Sequence, residues 1–436
     1  MAINFPIVKL GSLVKIKGGK RLPKGKQLQT TKNSHPYIRV RDMGEKYIPD
    51  VGLEYVPDDV FPNIKNYIVH ENDVIISIVG TIGLVSLIDS RFHLASQTEN
   101  CAKLSGLDEV DAQYLFYYLN SPMGKAEIFK GTVGAVQAKL PLYAIENLDV
   151  IWPSRRDREN IVLNLESVDS KISLNRKTNQ TLEQMAQALF KSWFVDFDPV
   201  IDNALAAGNN IPEALQHKAE QRLQAQQLPD FKPLPDDIRA LFPSEFEQTD
   251  DPSIGIAGWI PKGWSSIYLS DLLDVKYGKD HKKLDEGEYP VYGSGGLMRR
   301  VDKFLYEGES VLIPRKGTLS NIMYVNETFW SVDTMFFTIP KLPNVAKFTF
   351  YLLKRLNFDN MNVGSAVPSM TTKVLNALPV VCPSESVLAK FDEIMDLYFS
   401  KIQANQASTN QLEQLRDTLL PKLISGEITL PNKDVA

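Results

Sequence analysis

The stretch SKISLNRKTNQTLEQ, residues 170–184, returns in altered form as SKIQANQASTNQLEQ, residues 400–414, a displacement of 230 positions. The displacement is not constant further towards the beginning of the chain. There Val79-Gly80-Thr81 aligns with Lys316-Gly317-Thr318 at a displacement of 237 positions. A displacement that is constant over helical sequence and drifts elsewhere indicates two copies of one unit. Each copy is expected to contain a variable globular part followed by a rigid helix.

Both copies of this stretch lie within a heptad pattern. Alternating steps of four and three residues lead from Ile161 to Trp193 and from Phe391 to Leu423, and the positions reached are mostly apolar towards both ends. A period of 3.5 residues that is sustained over several heptads is typical of a coiled-coil seam. The apolar seam positions are Ile161, Leu165, Val168, Ile172, Leu182, Leu189, Phe391, Met395, Tyr398, Ile402, Leu412 and Leu419.

The middle of each seam is polar, with Asn175 and Asn179 in the first and Asn405 and Thr409 in the second. Buried asparagine in such a seam costs stability and fixes the register. We expect the two helices to pack on each other in antiparallel orientation, since repeats tend to be related by two-fold rotation. A parallel pair stays open if the connecting segment is extended, and so does separate docking of each helix onto its own globular part.

The fold class expected from these patterns is α+β, with two mixed α/β globular domains joined by the helix pair. The predicted boundaries are residues 1–153 and 263–383 for the globular domains, 154–195 and 384–426 for the long helices, and 196–262 for a partly ordered connector. Short elements are also predicted. They are strands over Val74–Val79, Leu84–Ile88, Val311–Pro314 and Ile322–Val325, and helices over Tyr114–Leu119, Ile211–Gln227 and Phe348–Leu353.

Composition is that of an ordinary globular protein: 436 residues, 43% hydrophobic, with a net charge of −5. No apolar run reaches the roughly 18 residues that a membrane helix needs, and the first residues lack the pattern of a signal peptide. Only Cys101 and Cys382 occur, so a disulfide framework is excluded and a cytoplasmic location is expected.

Charge is segregated along the chain. Ten basic residues lie between Lys9 and Arg41, and no acidic residue precedes Asp42. Residues 196–262 are acidic instead. Local basic faces on a mildly acidic protein are compatible with nucleic-acid binding, although a solvated basic face explains the same charges equally well.

A search for catalytic chemistry finds no candidate residue. The five histidines have no metal-ligand spacing with the two cysteines. Gly19-Lys20 lacks the spacing of a phosphate-binding loop, and Gly293-Ser294-Gly295 lacks that of a nucleophile elbow. We therefore predict neither a catalytic nor a metal site in this chain.

Several segments together resemble the specificity subunit of type I restriction–modification enzymes. The first helix ends in Phe190-Lys191-Ser192-Trp193-Phe194-Val195-Asp196-Phe197, and Ile260-Pro261-Lys262-Gly263-Trp264 opens the second globular part. Tyr289-Pro290-Val291-Tyr292-Gly293-Ser294-Gly295-Gly296 lies within that part, and Gly364-Ser365-Ala366-Val367-Pro368 lies near its end. The resemblance covers essentially the whole chain.

The resemblance implies two target-recognition domains, each reading one half of a split double-stranded DNA sequence, with the helix pair setting the gap. It also implies docking of two modification subunits, and of restriction subunits in the full complex. S-adenosylmethionine, ATP and Mg²⁺ would then be bound by these partners, and no cofactor by this chain. The alternatives are a coiled-coil scaffold that binds protein, and an enzyme whose site is assembled where the two halves meet.

Candidate DNA contacts follow from the resemblance and from the basic residues of each globular part. Lysines are expected to neutralise phosphates, and arginines can also grip guanine. For each candidate a merely solvated charge is an equally good interpretation. The candidates are Lys17, Lys20, Arg21, Lys24, Lys26, Arg39 and Arg41 in the first part, and Lys279, Lys282, Lys283, Arg299, Arg300, Arg315 and Lys316 in the second.

Overall fold

The computed structural model describes residues 5–134, 138–316, 319–356 and 370–428. The chain divides into two compact units, the first formed by residues 1–176 with 406–436 and the second by residues 177–405. Both contain helices and sheets, so the α+β prediction is confirmed. Among the described residues, no helix combines the length and the apolar character needed to cross a membrane.

The first unit begins with short strands that are followed by three helices and a long fourth one. The strands are β1 Ile7–Lys9, β2 Lys15–Gly18, β3 Pro36–Ile38, β4 Glu54–Tyr55, β5 Val74–Ser77, β6 Val85–Leu87, β7 Ser96–Gln97, β8 Cys101–Ser105 and β9 Asp149–Ile151. The helices are α1 Glu109–Asn120, α2 Pro122–Gly131, α3 Leu142–Glu146 and α4 Arg155–Phe194, of which the part up to Arg176 belongs to this unit.

The first unit is built around a four-stranded antiparallel sheet of order β2-β8-β5-β6, beside which β4-β3-β7 form a second sheet. Strand β5 is apolar at three successive positions, Val74, Ile75 and Ile76, and all three are fully buried. A continuous apolar run is typical of a strand that is covered on both faces. Helix α1 packs against β5 and β6 and supplies Tyr114 and Leu115 to the same core.

The second unit contains the connector, the second globular domain and most of the last helix. Its helices are α5 Asp198–Ala207, α6 Glu213–Gln226, α7 Asp236–Arg239, α8 Leu269–Leu272, α9 Ala346–Lys354, α10 Thr372–Asn376 and α11 Glu385–Ile424, of which the part up to Asn405 belongs here. Its strands are β10 Phe246–Gln248, β11 Trp259–Pro261, β12 Ser265–Tyr268, β13 Leu273–Tyr277, β14 Tyr289–Gly293, β15 Gly296–Val301, β16 Tyr306–Pro314, β17 Met323–Ser331, β18 Met335–Pro340 and β19 Pro379–Cys382.

The second globular domain has a larger sheet than the first, with six strands in the order β13-β18-β16-β17-β14-β15. Helix α9 packs on β16 and β17 in the way that α1 packs on β5 and β6. The core contains an aromatic cluster. The ring centroid of Phe194 lies 5.0 Å from those of both Phe348 and Phe391. Phe190 and Trp193 are each 1% exposed within this cluster, so both serve packing.

The internal repeat is visible in the backbone pairing within each unit. Strand β1 pairs with β9 in antiparallel fashion, and β12 pairs with β19 in the same way. The amide of Leu10 donates to the Leu148 carbonyl at 2.9 Å, and the amide of Leu269 donates to the Leu378 carbonyl at 2.8 Å. These partners are displaced by 259 and 230 positions, so the repeat inferred from sequence is confirmed at these positions.

The predicted turn at Gly80–Gly83 connects β5 with β6. Gly80 and Gly83 have positive φ angles of 83° and 82°, a conformation that residues with a side chain rarely adopt. The two glycines therefore serve the turn itself better than they would serve direct contact with a ligand. Its counterpart Gly317-Thr318 lies outside the described residues, as does Gly364–Pro368.

The two long helices run antiparallel in the first unit. Arg416 of α11 donates to Asp169 of α4 at 3.1 Å, and Asn175 of α4 donates to Thr409 of α11 at 3.4 Å. Residue numbers thus rise along one helix while they fall along the other. Arg176 adds an ion pair to Glu413 at 2.6 Å.

The same orientation holds in the second unit. Asn405 Nδ2 donates to Asn179 Oδ1 at 2.8 Å, and the rings of Phe190 and Phe391 lie 6.0 Å apart. The antiparallel packing is therefore confirmed. All twelve apolar seam residues are buried or half-buried, and some of them pack in the cores of the globular domains. They are Ile161, Leu165, Val168, Ile172, Leu182, Leu189, Phe391, Met395, Tyr398, Ile402, Leu412 and Leu419.

Candidate nucleic-acid interface

One end of the four-stranded sheet in the first unit brings together segments from three parts of the chain. The amides of Gly19 and Lys20 donate to the carbonyls of Cys101 and Gln97 at 3.0 and 2.9 Å. On the other side of β8, the amide of Ile78 donates to the Asn100 carbonyl at 2.8 Å. We call this place the first sheet end and define it by Gly19–Arg21, Ile78–Val79 and Glu99–Asn100.

Close backbone contact explains the glycine at the first sheet end. A Cβ atom on Gly19 would overlap the carbonyl oxygens of Gln97 and Thr98. The next residue, Lys20, is held by Tyr37, whose hydroxyl donates to the Lys20 carbonyl at 2.8 Å. Burial raises the pKa of Tyr37 to about 12, so that this hydroxyl stays protonated at neutral pH.

The second unit repeats this backbone arrangement. The amides of Gly278 and Lys279 donate to the carbonyls of Met335 and Ser331 at 3.0 and 2.8 Å, and the amide of Arg315 donates to Thr334 at 2.8 Å. A Cβ on Gly278 would again overlap two carbonyl oxygens, here those of residues 331 and 332. We define the second sheet end by Gly278–Lys279, Arg315–Lys316 and Asp333–Thr334.

Two lysines, one in the first sheet end and one in the adjoining strand β2, lie close to an aromatic ring. The Nζ atoms of Lys17 and Lys20 are 5.0 and 5.8 Å from the centre of the Tyr67 ring, and Lys17 also donates to the Asn66 carbonyl at 2.9 Å. Both lysines are exposed. Exposed ammonium groups can reach phosphates, and the aromatic face beside them offers a surface for base stacking.

The other candidate cations of the first domain differ in how far they are neutralised. Arg21 is 77% exposed and pairs with Glu99 at 2.8 Å. Lys26 pairs with Asp59 at 2.7 Å, whereas Lys24 is exposed and makes no ion pair within the described part of the chain.

Arg39 and Arg41 belong to a carboxylate cluster. Both form ion pairs with Glu54 and with Asp42. Burial raises the pKa of Asp42, and the neighbouring Arg41 opposes this rise. The side chain of Arg39 is only 23% exposed, so its guanidinium mainly stabilises the loop around β3 and β4.

In the second domain, Lys279, Arg315 and Lys316 lie at the sheet end, and Lys282 and Lys283 are exposed in the loop that follows it. The guanidinium of Arg315 lies 5.1 Å from the centre of the Tyr277 ring.

Arg299 and Arg300 donate hydrogen bonds to backbone carbonyls instead. Arg299 Nη2 donates to the carbonyls of His281 and Leu284 at 2.6 and 2.9 Å, and Arg300 donates to the Glu288 carbonyl. The basic residues singled out from the sequence thus fall into two groups. Some lie at the sheet ends, and others stabilise loops through ion pairs or hydrogen bonds to backbone carbonyls.

Two aromatic residues at the sheet ends were not identified from sequence. Tyr277 lies in Lys276-Tyr277-Gly278-Lys279, and this interleaving of basic and aromatic residues is a local signal for nucleic-acid binding. The contacts of Tyr67 with Lys17 and Lys20 could not be seen from the sequence, because 50 and 47 positions separate these residues.

The chemistry available at the sheet ends is binding. Among the described residues, no group of three or more His, Cys, Asp or Glu side chains is placed to hold a metal ion. The Cys101 thiol next to the first sheet end is buried, and burial raises its pKa to about 12, which leaves it a poor nucleophile. Ammonium, guanidinium and amide donors remain, and these recognise phosphate and base edges.

The two sheet ends share one backbone pattern, and both units contain antiparallel helices, so the protein is built as an internal repeat. The family model described as type I restriction modification DNA specificity domain matches residues 3–184 and 261–414. The chain belongs to this family. It is thus a specificity subunit, and the family assigns it no catalytic role.

Curated relatives agree with this assignment. The chain is similar to the type I restriction enzyme HindI specificity subunit of Haemophilus influenzae, with 27% identity over 65% of this chain and 70% of the relative. It is also similar to the MjaIX specificity subunit of Methanocaldococcus jannaschii, with 22% identity over 91% and 84%. The crystal structure of a type I S subunit from M. genitalium shares the fold, with a TM-score of 0.61 and 19% identity over 97% of this chain and 96% of that one.

Proposed function

We propose that the chain binds double-stranded DNA through both sheet ends and that each sheet end reads one half of a bipartite sequence. The observation that carries this proposal is the matched backbone of the two sheet ends, which present different side chains on the same hydrogen-bonded frame. A shared frame supports a shared task, and different side chains support different sequences. The target-recognition domains are then residues 1–153 and 263–383.

Within each domain, lysines and arginines take different parts. Lys20 and Lys279 occupy the same position after the glycine, and a point charge there suits a phosphate, which gives affinity without sequence information. Base edges are read by residues that differ between the domains. Arg315 takes this part in the second domain, whereas its backbone counterpart Ile78 packs against the core of the first. Because the two readers are unlike, the site is asymmetric, in contrast to the palindromes of homodimers.

The long helices set the gap between the two half-sites. A 40-residue helix is about 60 Å long. The hydrogen bonds of Asn175 to Thr409 and of Asn405 to Asn179 suit only one register, since a shift by one turn would leave buried amides without these partners. In the assembled enzyme the helices dock two modification subunits, and restriction subunits complete the complex. These partners supply the sites for S-adenosylmethionine, ATP and Mg²⁺.

Methylome sequencing tests this function directly. The gene is expressed with the modification subunit of its system in a host that lacks other methylation. A motif with two defined halves, an undefined gap and no palindromic symmetry is expected. Absence of methylation in cells that contain an assembled complex, or a continuous palindromic motif, contradicts the proposal.

Exchange of one domain gives the matched control. Replacing residues 263–383 with the corresponding segment of another family member should change one half of the motif and leave the other half unchanged. A change in both halves would show that the two domains do not read independently.

A further inference from the structure

The arginines of the second domain differ in how freely their guanidinium groups can meet a ligand. Arg299 Nη2 donates hydrogen bonds to two carbonyls, and Arg299 Nε is buried away from solvent. Arg300 donates to the carbonyl of Glu288, immediately before β14. Arg315 makes one long hydrogen bond, from Nη1 to the Asp333 carbonyl at 3.3 Å, and within the described residues it is paired with no carboxylate.

The backbone of Arg315 is held on both sides. Its amide donates to the Thr334 carbonyl at 2.8 Å, and its own carbonyl accepts the Met370 amide at 3.0 Å. The residue therefore starts from a fixed position at the second sheet end, immediately after β16.

The side chain of Arg315 is held by an aromatic ring that is itself supported. The guanidinium carbon lies 5.1 Å from the Tyr277 ring centre, and the Tyr277 ring meets the fully buried Phe336 edge-on at 5.0 Å. The Tyr277 hydroxyl lies 3.4 Å from Thr372 Oγ1. Stacking on a supported ring limits the rotamers of a long side chain before it meets a ligand, which lowers the entropic cost of binding.

A planar guanidinium with free N–H groups that is already oriented suits bidentate recognition. In the major groove, guanine presents the O6 and N7 acceptors that match this fork. Phosphate can also accept such a pair of hydrogen bonds. The neighbouring Lys316 is exposed and forms no ion pair with the part of the chain that the structure describes, so it can bind the DNA backbone instead.

We propose that Arg315 is the specificity-determining residue of the second half-site and that it donates two hydrogen bonds to O6 and N7 of one guanine. Tyr277 is a positioning residue that keeps the guanidinium plane in place. The proposal rests on the proposed function, since it presumes that the second sheet end meets the major groove. Ile78 occupies the equivalent backbone position of the first sheet end, so the first half-site has no guanine read from there.

The test uses the full chain in complex with its modification subunit. The variants are Arg315→Lys, Tyr277→Leu, Tyr277→Phe and, as the matched control, Arg355→Lys, which changes an exposed arginine of the same domain outside the sheet end. Methylome sequencing reports the motif, and competition binding with duplexes altered one base pair at a time reports discrimination. Thermal unfolding verifies that each variant is folded.

Arg315→Lys keeps the charge and loses the fork, so discrimination at one guanine of the second half should fall about tenfold or more, while the first half stays intact. Tyr277→Leu should relax the same position to a smaller extent, whereas Tyr277→Phe and Arg355→Lys should retain the motif. The inference is overturned by an unchanged motif in Arg315→Lys, by an equal loss of affinity for all sequences, or by a wild-type second half-site without guanine. Failure of the wild-type complex to recognise any bipartite motif would instead refute the proposed function.

Discussion

The two globular domains use their arginines in opposite ways. In the first domain all four, Arg21, Arg39, Arg41 and Arg91, form ion pairs with carboxylates. In the second, none of the four arginines at positions 299, 300, 315 and 355 has a carboxylate partner within the described residues. Carboxylates thus neutralise the guanidinium groups of the first domain. In the second, Arg299 and Arg300 bond backbone carbonyls, and Arg315 at the sheet end makes one long hydrogen bond.

Carboxylates of the second unit surround a buried lysine instead. Lys347 of α9 has a side chain that is 3% exposed and pairs with Glu309, Asp392 and Asp396 at 2.8, 2.9 and 2.9 Å. Burial alone would lower the pKa of Lys347, but the three carboxylates raise it above its ordinary value. The lysine is therefore charged at neutral pH and fastens α9 to α11.

The largest effect is expected for Lys347→Met. Removing the cation leaves the Asp392 carboxylate, whose side chain is 13% exposed, without its partner, which costs about 3–5 kcal/mol of unfolding free energy. Thermal unfolding monitored by calorimetry should show a lower transition temperature for the second unit. Lys276→Met is the control, because its ion pair with Asp274 is about half exposed on both sides and contributes about 0–1 kcal/mol. Equal stability of wild type and Lys347→Met would contradict the interpretation.

Gly19→Ala and Gly278→Ala test whether the two sheet ends are equivalent. Each added Cβ overlaps backbone carbonyls, so each variant should lose about 1–3 kcal/mol of unfolding free energy. Gly295→Ala is the control, since an added Cβ there meets nothing within 4 Å. Denaturant unfolding of the three variants gives the comparison. A large loss in only one of the two sheet ends would break the equivalence.

The smallest effect is expected for Glu99→Gln, which releases Arg21 at the first sheet end. Loss of one negative charge and release of one guanidinium should strengthen DNA binding about threefold, within the range of an exposed ion pair. Asp333→Asn makes the matching change at the second sheet end. There it frees no arginine, because Arg315 bonds the Asp333 carbonyl and not its carboxylate. Binding isotherms in low salt measure both variants, and a larger gain for Asp333→Asn would be inconsistent with the comparison.

Much of the fold could be predicted from sequence because the repeat constrains it. The displacements of 230, 237 and 259 positions reappear as equivalent backbone partners, since Leu148 and Leu378, Ile78 and Arg315, and Gly19 and Gly278 make matching hydrogen bonds. The connector helix expected at 211–227 is observed as α6. Strands such as β14 and β15 escaped prediction, because glycine and proline interrupt their alternation of apolar and polar residues.

The candidate interface could be predicted only in part. Counting charges identified Lys20 and Arg315 together with Arg39, although Arg39 is held by carboxylates. The partner Glu54 lies fifteen positions away, and no local pattern indicates that the two side chains meet. For the same reason, the contact between the Tyr67 ring and Lys17 could not be predicted from the sequence. Neutralisation of a charge depends on long-range contacts, which composition and spacing do not encode.

Photo-crosslinking from the two sheet ends measures whether each sheet end contacts its own half-site. A photoreactive amino acid is placed at position 20, at position 279, or at position 224 on the exposed face of α6 as a control, and each complex is irradiated on a duplex that carries its methylated motif. Position 20 is expected to label one half-site, position 279 the other, and position 224 neither. Labelling of the same half-site from both sheet ends, or from neither, would contradict this expectation.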